Sequence, residues 1–414
     1  MADGCPGIRV EDGVDRISEL PVHLREHILE SMSIKDAVST SSLSSKWRYC
    51  WTGLRTLNFG YHFWDFDKHN PYMMLDLLER TRAVERVLMV HCGPIREFIL
   101  YVSKIQHKTV DINLWLRALS NNGVQKIKIS SSICSEGLFS IPSGLFNCRE
   151  LEELSLRDCK FTLPRDYKGF ANLTTLGLDG VNIAPSLLES LISGCLLLET
   201  LTLKELMLNG PFALETLNLK TFYFTDHDLE FIIFKDNPKL TCVSLFWTCE
   251  SEFDRMDTSH SYNSTLKHLR SLSMIKELAY DFWLLDPLRE NCPSSTLIPL
   301  ENLKCLTLRA VDLRLPEDIL FTLCLLRSAP NLQNLTIELE SESERVSEIK
   351  KVQEEAAKLL EFEVKKHTSY DTLQTIKINR NDGLPVPHEN LLIKLLQTRC
   401  PKVKSIIIGK MQLF

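Results

Sequence analysis

A short phrase of residues, apolar-x-x-apolar-x-apolar, recurs along most of the 414-residue chain. The alternating apolar residues of each copy predict a short β-strand with one buried face, and the leading residue fills the core from the preceding turn. No single copy can bury its own apolar face, so successive copies must stack with their strands parallel. The copies begin at Val124, Leu151, Leu173, Leu198, Leu214, Leu240, Leu269, Leu303, Leu332, Leu373 and Val403.

Most copies are separated by about 20 to 29 residues, which is typical of leucine-rich repeats. The step from Leu198 to Leu214 is short and the step after Leu332 is long, which predicts one truncated repeat and one with an insertion. Proline in the first turn predicts helical return segments over 184–195 and 316–328. The predicted fold class is therefore α/β, a leucine-rich-repeat solenoid of parallel strands with helical or irregular return segments.

The residues before the repeats follow a different pattern. Pro21 can begin a helix at its first turn, and Ser33, which is followed three residues later by an acidic residue, is a candidate N-cap for a second helix. Leu43, Trp47 and Trp51 recur at a spacing of four and predict a third helix. Three short helices in about 35 residues cannot bury this much aliphatic and indole surface by themselves.

This segment resembles the F-box, and most closely the plant form that precedes leucine-rich repeats. The resemblance implies a small three-helix domain over residues 12–55 that binds a SKP1-like adaptor, and through it a cullin and a RING protein. Met32 and Ser33 depart from the family's usual Leu-Pro; Met can fill the Leu site, and Ser supplies a helix cap. The resemblance places on the adaptor Leu20, Pro21, Leu24, Ile28, Leu29, Val38, Leu43 and Trp47.

The carboxyl-terminal segment resembles the FBD region that ends many plant F-box/leucine-rich-repeat proteins. Apolar residues between 343 and 367 follow a helical period, and the phrase returns at Leu373. The family's usual Ser-Pro pair corresponds to Cys400 and Pro401. The resemblance implies irregular leucine-rich repeats over 56–340 and an FBD-like region over 341–414 that continues the array.

The combined resemblance implies a non-catalytic subunit that recognises substrates for a SKP1-cullin-F-box ubiquitin ligase. The repeats would bind a target protein, whose identity the sequence does not give. Side chains between the core positions of each strand face outward; their mixed charge suits an acidic peptide, and it is equally typical of a solvated sheet face. The candidate target-binding residues are Arg157, Asp179, Lys204, Lys220, Arg309 and Glu338.

Two other functions are compatible with the sequence. One is a small-molecule-dependent F-box co-receptor, although about ten visible repeats are few for a closed ring with a pocket. The other is a leucine-rich-repeat interaction scaffold that acts outside a ligase. Binding to a SKP1-like protein separates the ligase subunit from the scaffold, and a ligand-dependent rise in melting temperature would favour the co-receptor.

The sequence contains no phosphate-binding loop, dinucleotide-binding fingerprint or nucleophile elbow. His23 and His27 have the spacing that can hold a divalent metal on a helix, but no third ligand is evident. We therefore predict no catalytic residue, no metal site and no cofactor. The 13 cysteines include no C-x-x-C pair and are predicted to be reduced.

Composition narrows the class of partner. Forty-four per cent of the residues are hydrophobic, which excludes disorder as the main state, and 48 Lys and Arg nearly balance 54 Asp and Glu. A net charge of −6 gives no electrostatic reason to expect nucleic acid or an anionic membrane as partner. The first residues lack a signal-peptide pattern, and no apolar stretch is long enough to cross a bilayer, so we expect a cytoplasmic or nuclear location.

Overall fold

The computed structural model divides into two compact units, Met1–Leu154 and Ser155–Phe414. This division falls inside a strand, and the domain boundaries predicted after residues 55 and 340 stay predictions. The structure describes residues 15–64, 73–102, 111–132, 137–226, 232–247, 274–282, 299–340, 349–365, 369–380, 386 and 388–410.

Short strands and helices alternate along both units. The α-helices are α1 (Val22–Glu30), α2 (Ile34–Ser39), α3 (Met73–Val90), α4 (Ile112–Asn121), α5 (Pro185–Ser193), α6 (Pro316–Ser328), α7 (Ile349–Lys365) and α8 (Glu389–Arg399). The strands are β1 (Thr56–Phe59), β2 (Glu97–Val102), β3 (Lys126–Ser131), β4 (Phe139–Ser140), β5 (Glu153–Arg157), β6 (Cys159–Lys160), β7 (Thr175–Asp179), β8 (Thr200–Lys204), β9 (Phe212–Leu214), β10 (Thr221–Asp226), β11 (Ile232–Phe234), β12 (Cys242–Trp247), β13 (Glu277–Asp281), β14 (Cys305–Val311), β15 (Asn334–Leu339), β16 (Thr375–Arg380) and β17 (Ser405–Lys410).

In the first unit, β1, β2 and β3 pair in parallel and in chain order. Leu57 lies opposite Phe98, which lies opposite Ile127, and all three side chains are fully buried. The strands β1 and β2 each follow a buried leading residue, Leu54 or Ile95. The repeat array therefore includes two copies before Val124 that the sequence analysis did not identify individually.

In the second unit, the longer strands from β7 to β17 also pair in parallel and in chain order. Leu176, Leu201, Phe222 and Val243 face one another in successive strands, and each is buried. Helices α5 and α6 lie within the return segments for which they were predicted. These observations confirm the leucine-rich-repeat fold class.

The predicted copy beginning at Leu214 was wrong in register. Its second apolar residue, Leu217, is 68% exposed, whereas Leu219 is buried and leads into β10 through Phe222 and Phe224. The true starts at Leu198, Leu219 and Leu240 are evenly spaced, so no repeat is truncated here. The error arose because phenylalanine occupies both strand positions that leucine fills in neighbouring repeats.

Some predicted segments lie outside the described residues. They include most of the copy at Leu269. The strand β13, which pairs between β12 and β14, instead follows the buried Ile275. The described part of the helix predicted over 343–367 forms α7.

A left-handed residue ends several strands of the second unit. Asp158, Gly180 and Glu205 directly follow β5, β7 and β8 with φ values of 53°, 59° and 47°. Their backbone N–H groups donate to the last strand residue of the next repeat or, for Glu205, to Thr225. The repeated turn directs the chain from the sheet into the return segment.

Within the described ranges, every helix is too short or too polar to cross a lipid bilayer.

Candidate protein-binding surfaces

The first two predicted helices of the amino-terminal segment are present. Helix α1 begins directly after Pro21, which occupies its N-cap position. Ser33 caps α2: its Oγ accepts from the backbone N–H of Asp36 at 3.2 Å and donates to Oδ2 of the same residue at 2.7 Å. The cap and the acidic side chain in the first turn both favour the helix start.

The third helical segment differs from the α-helix that was expected over Leu43 to Trp51. It consists of short 3₁₀ turns at Thr40–Ser42 and Cys50–Gly53, separated by further turns. Hydroxyl groups bond back to the chain here; the Oγ of Ser42, for example, donates to the Ser39 carbonyl at 2.8 Å. Serine-rich sequence offers the backbone such alternatives to a regular helix.

The interior of the whole amino-terminal segment contains two of the predicted adaptor-binding residues. The side chains of Leu29 and Trp47 are buried with those of Ile34 and Ala37. The guanidinium of Arg25 donates to the Lys46 carbonyl and ties α1 to the third segment. Leu29 and Trp47 therefore hold the segment together, and a direct contact of either with a partner stays a prediction.

Several other predicted adaptor-binding residues are exposed apolar residues. Leu24 is 42% exposed, Ile28 is 39% exposed and Leu43 is 70% exposed. Pro21 is also exposed, whereas Leu20 and Val38 are partly buried. Exposed apolar side chains that the sequence analysis missed are those of Ile17, Val22 and Met32. Apolar periodicity alone does not show which face of so small a domain stays uncovered. We call Ile17, Pro21, Val22, Leu24, Ile28, Met32 and Leu43 the head surface.

In the second unit, most of the predicted target-binding residues lie on strands, and their side chains face outward. Arg157 Nη2 lies 3.1 Å from Asp179 Oδ2 on the next strand. Arg309 Nε lies 3.0 Å from Glu338 Oε2, again on adjacent strands. These four charges thus form two cross-strand ion pairs.

The prediction for Lys220 was wrong. This residue was assigned to an outward strand position, but it precedes β10. Its backbone belongs to the turn before that strand, and its Nζ lies 2.6 Å from Glu199 Oε1. The displacement follows from the misplaced register at Leu214. The partly exposed outward residues of the true strand are Thr221 and Tyr223, whereas Thr225 is buried.

Two aromatic side chains that the sequence analysis missed stand on the same outward face. The rings of Tyr223 and Phe246 meet edge to face, with centroids 5.2 Å apart. Lys204 Nζ lies 5.0 Å from the Tyr223 centroid, and Arg309 Cζ lies 4.4 Å from the Phe246 centroid. We call Lys204, Tyr223, Phe246 and Arg309 the aromatic ladder. Correct placement of β10 would have revealed Tyr223 from the sequence.

Burial raises the pKa of the Cys148, Cys159 and Cys400 thiols to about 12, which keeps them protonated at neutral pH. His27 Nδ1 lies 3.9 Å from Glu30 Oε2. Across the described part of the chain, no three His, Cys, Asp or Glu side chains form a group that could hold a metal.

The first unit also has a large open groove beside the head surface. Its volume is about 1210 Å³, and Met32 and Val38 contribute to its wall together with aromatic and charged residues. The charged side chains that line it have both signs, Lys35, Arg80 and Arg86 against Asp76 and Glu79.

Known protein families match both the amino-terminal segment and the repeats. The F-box domain profile matches residues 17–58, and the profile described as "FBD-associated F-box protein At5g56370, LRR repeats" matches residues 112–337. The F-box/FBD/LRR-repeat protein At1g13570 of Arabidopsis thaliana is 32% identical over 324 residues, covering 78% of this chain and 76% of its own. The probable FBD-associated F-box protein At1g32375 of the same plant is 23% identical and covers 78% of each chain. A further relative, FBD-associated F-box protein At1g66310, is 33% identical over 47% of this chain and 42% of its own.

Proposed function

The chain belongs to the plant F-box/FBD/leucine-rich-repeat protein family, and on that premise we propose that it recognises substrates for a SKP1-cullin-F-box ubiquitin ligase. Its head surface would bind a SKP1-like adaptor, which brings a cullin and a RING protein. Its outward strand face would bind a target protein. We expect the complex to form in the cytoplasm, the nucleus or both.

The observation that carries the proposal is the exposed apolar head surface. Leu24, Ile28 and Leu43 remain in contact with water although a buried core of Leu29 and Trp47 lies beside them. Covering a leucine-sized side chain contributes about 1.5–3 kcal/mol, so a partner that covers several gains substantial binding energy. Clusters of exposed apolar residues of this kind mark protein-binding sites.

In this role the chain contributes no covalent step. It would hold the target near the ubiquitin-carrying enzyme, which raises their effective concentration without a reactive group of its own. The raised pKa of the buried Cys148, Cys159 and Cys400 thiols supports a non-catalytic role for these residues.

The adaptor contact is tested with Ile28→Asp combined with Leu43→Asp in the full chain. Charged groups at two exposed positions would prevent desolvation of the contact, so we expect affinity for a purified SKP1-like protein to fall at least about 100-fold. Both positions are exposed, so the melting temperature should change little. Binding is measured by biolayer interferometry.

The matched control is Leu114→Asp, because Leu114 is an exposed leucine on α4, outside the F-box match. It should bind the adaptor as the unchanged chain does. Substitution of Trp47 is a poor test, since this buried side chain supports the fold of the segment itself. Absence of adaptor binding by the unchanged chain, or undiminished binding by the double variant, would reject the proposal.

The groove beside the head surface favours one alternative, the small-molecule-dependent co-receptor. Its volume of about 1210 Å³ is ample for a small ligand, although it exceeds the usual range for such pockets and is open. A plant metabolite library screened by thermal shift distinguishes the two functions. A ligand that raises the melting temperature and is required for target binding would support the co-receptor.

A further inference from the structure

The aromatic ladder carries an inference about the kind of target, and it rests on the proposed function of the outward strand face. We propose that the ladder binds a target segment in which an acidic side chain stands next to an aromatic one. The acidic group would pair with Lys204, and the aromatic ring would pack against Tyr223 and Phe246.

Charge pairing singles out Lys204 among the predicted target-binding residues. Arg157 and Asp179 pair with each other, Arg309 pairs with Glu338, and Lys220 has its own partner outside the strand. Among the described residues, Lys204 makes no ion pair; its ammonium group lies over the Tyr223 ring. Asp179 lies opposite Lys204 in the strand register, but its carboxylate is directed to Arg157. An ammonium group with this position is available to an incoming carboxylate.

The two rings supply the apolar part of the site. Tyr223 and Phe246 are only partly buried. The outward residues beside Tyr223 in the register, Thr202 and Ser244, are small. An aromatic side chain placed against the two rings would bury apolar area and also gain ring-to-ring contact.

Arg309 lies on the Phe246 side of the ladder. Its guanidinium lies over Phe246 and is held by Glu338, so the Phe246 ring lies between a cation and the Tyr223 ring. Since Glu338 neutralises Arg309, a basic ligand would meet the unpaired ammonium of Lys204 and be repelled by it. The arrangement thus favours an acidic-aromatic segment over a basic-aromatic one.

The probes are three fluorescein-labelled peptides of equal length that carry two copies of Asp-Phe, Lys-Phe or Asp-Ser in a Gly-Ser background. Fluorescence anisotropy measures their binding to the full chain purified with a SKP1-like adaptor. We expect the Asp-Phe peptide to bind at least about tenfold more tightly than either other peptide. Lys204→Ala and Phe246→Ala should each remove most of this preference.

Lys220→Ala is the matched control, because it removes an exposed lysine that already has an acidic partner outside the strand. It should leave the preference unchanged. Equal binding of the three peptides, or tighter binding of a poly-uridine RNA of similar length than of the Asp-Phe peptide, would overturn the inference. In either case intact adaptor binding would leave the proposed function standing, whereas loss of adaptor binding would reject that function separately.

Discussion

The thiols of Cys148, Cys159 and Cys400 lie in the apolar core, where desolvation penalises the thiolate and raises each pKa to about 12. Cysteine acts there as a small hydrophobic residue. The same burial that stabilises the fold makes these thiols poor nucleophiles.

This burial predicts a loss of stability in alkaline solution. In the unfolded chain a thiol ionises near its ordinary pKa of 9.0, whereas folded Cys148 stays protonated to about 12. Unfolding therefore releases a proton between these pH values, and stability that is fully present below pH 9 is lost as the pH rises toward 12. Urea unfolding at several pH values should show a shallower decline for Cys148→Ala, by at most about 1.4 kcal/mol per pH unit.

The comparison contains its own control. Below pH 9 neither state of the thiol changes its protonation, so the stability difference between Cys148→Ala and the unchanged chain should be constant there. Parallel curves across the whole range would show that the buried thiol does not account for the alkaline loss.

At the scale of elements, the sequence predicted most strands whose core positions are aliphatic, and α5 and α6 from their proline starts. It misplaced β10, because aromatic residues at Phe222 and Phe224 break the leucine pattern while filling the same core positions. The third helical segment could not be predicted either, since local serine hydrogen bonds decided its form. Because β10 was misplaced, Tyr223 was not recognised as an outward-facing residue.

One close approach between elements is testable by a single methyl group. Gly169 has a φ of +91°, and a Cβ at this position would lie 1.8 Å from the backbone oxygen of Gly194, which ends α5. Gly169→Ala therefore combines backbone strain with a displaced helix end and should cost about 2 kcal/mol or more in the free energy of unfolding.

Gly210→Ala is the control for that measurement. A Cβ at Gly210 would have no atom within 4 Å, and its φ is not in the left-handed region. Urea unfolding should therefore show a change of less than about 0.5 kcal/mol for Gly210→Ala. Similar losses for both variants would mean that the contact between Gly169 and Gly194 does not limit how the return segment packs.

At the scale of the whole molecule, the two proposed binding functions belong to different compact units. The head surface lies in the first unit, and the aromatic ladder lies in the second. Each surface consists of side chains that the unit's own core does not require. Residues such as Leu43 and Lys204 were predictable as candidates from the sequence, whereas their exposure and free charge depended on three-dimensional packing.

If the adaptor and the target bind separate surfaces, each double variant should lose only one group of partners in plant cells. A chain fused to a proximity-labelling enzyme should label the adaptor, the cullin and the target. Ile28→Asp with Leu43→Asp should remove the adaptor and cullin and retain the target, because it leaves the strand face unchanged. Lys204→Ala with Phe246→Ala should do the reverse, because the head surface keeps its apolar side chains. Loss of both groups of proteins from either variant, at unchanged abundance and melting temperature, would contradict the assignment of adaptor and target to distinct surfaces.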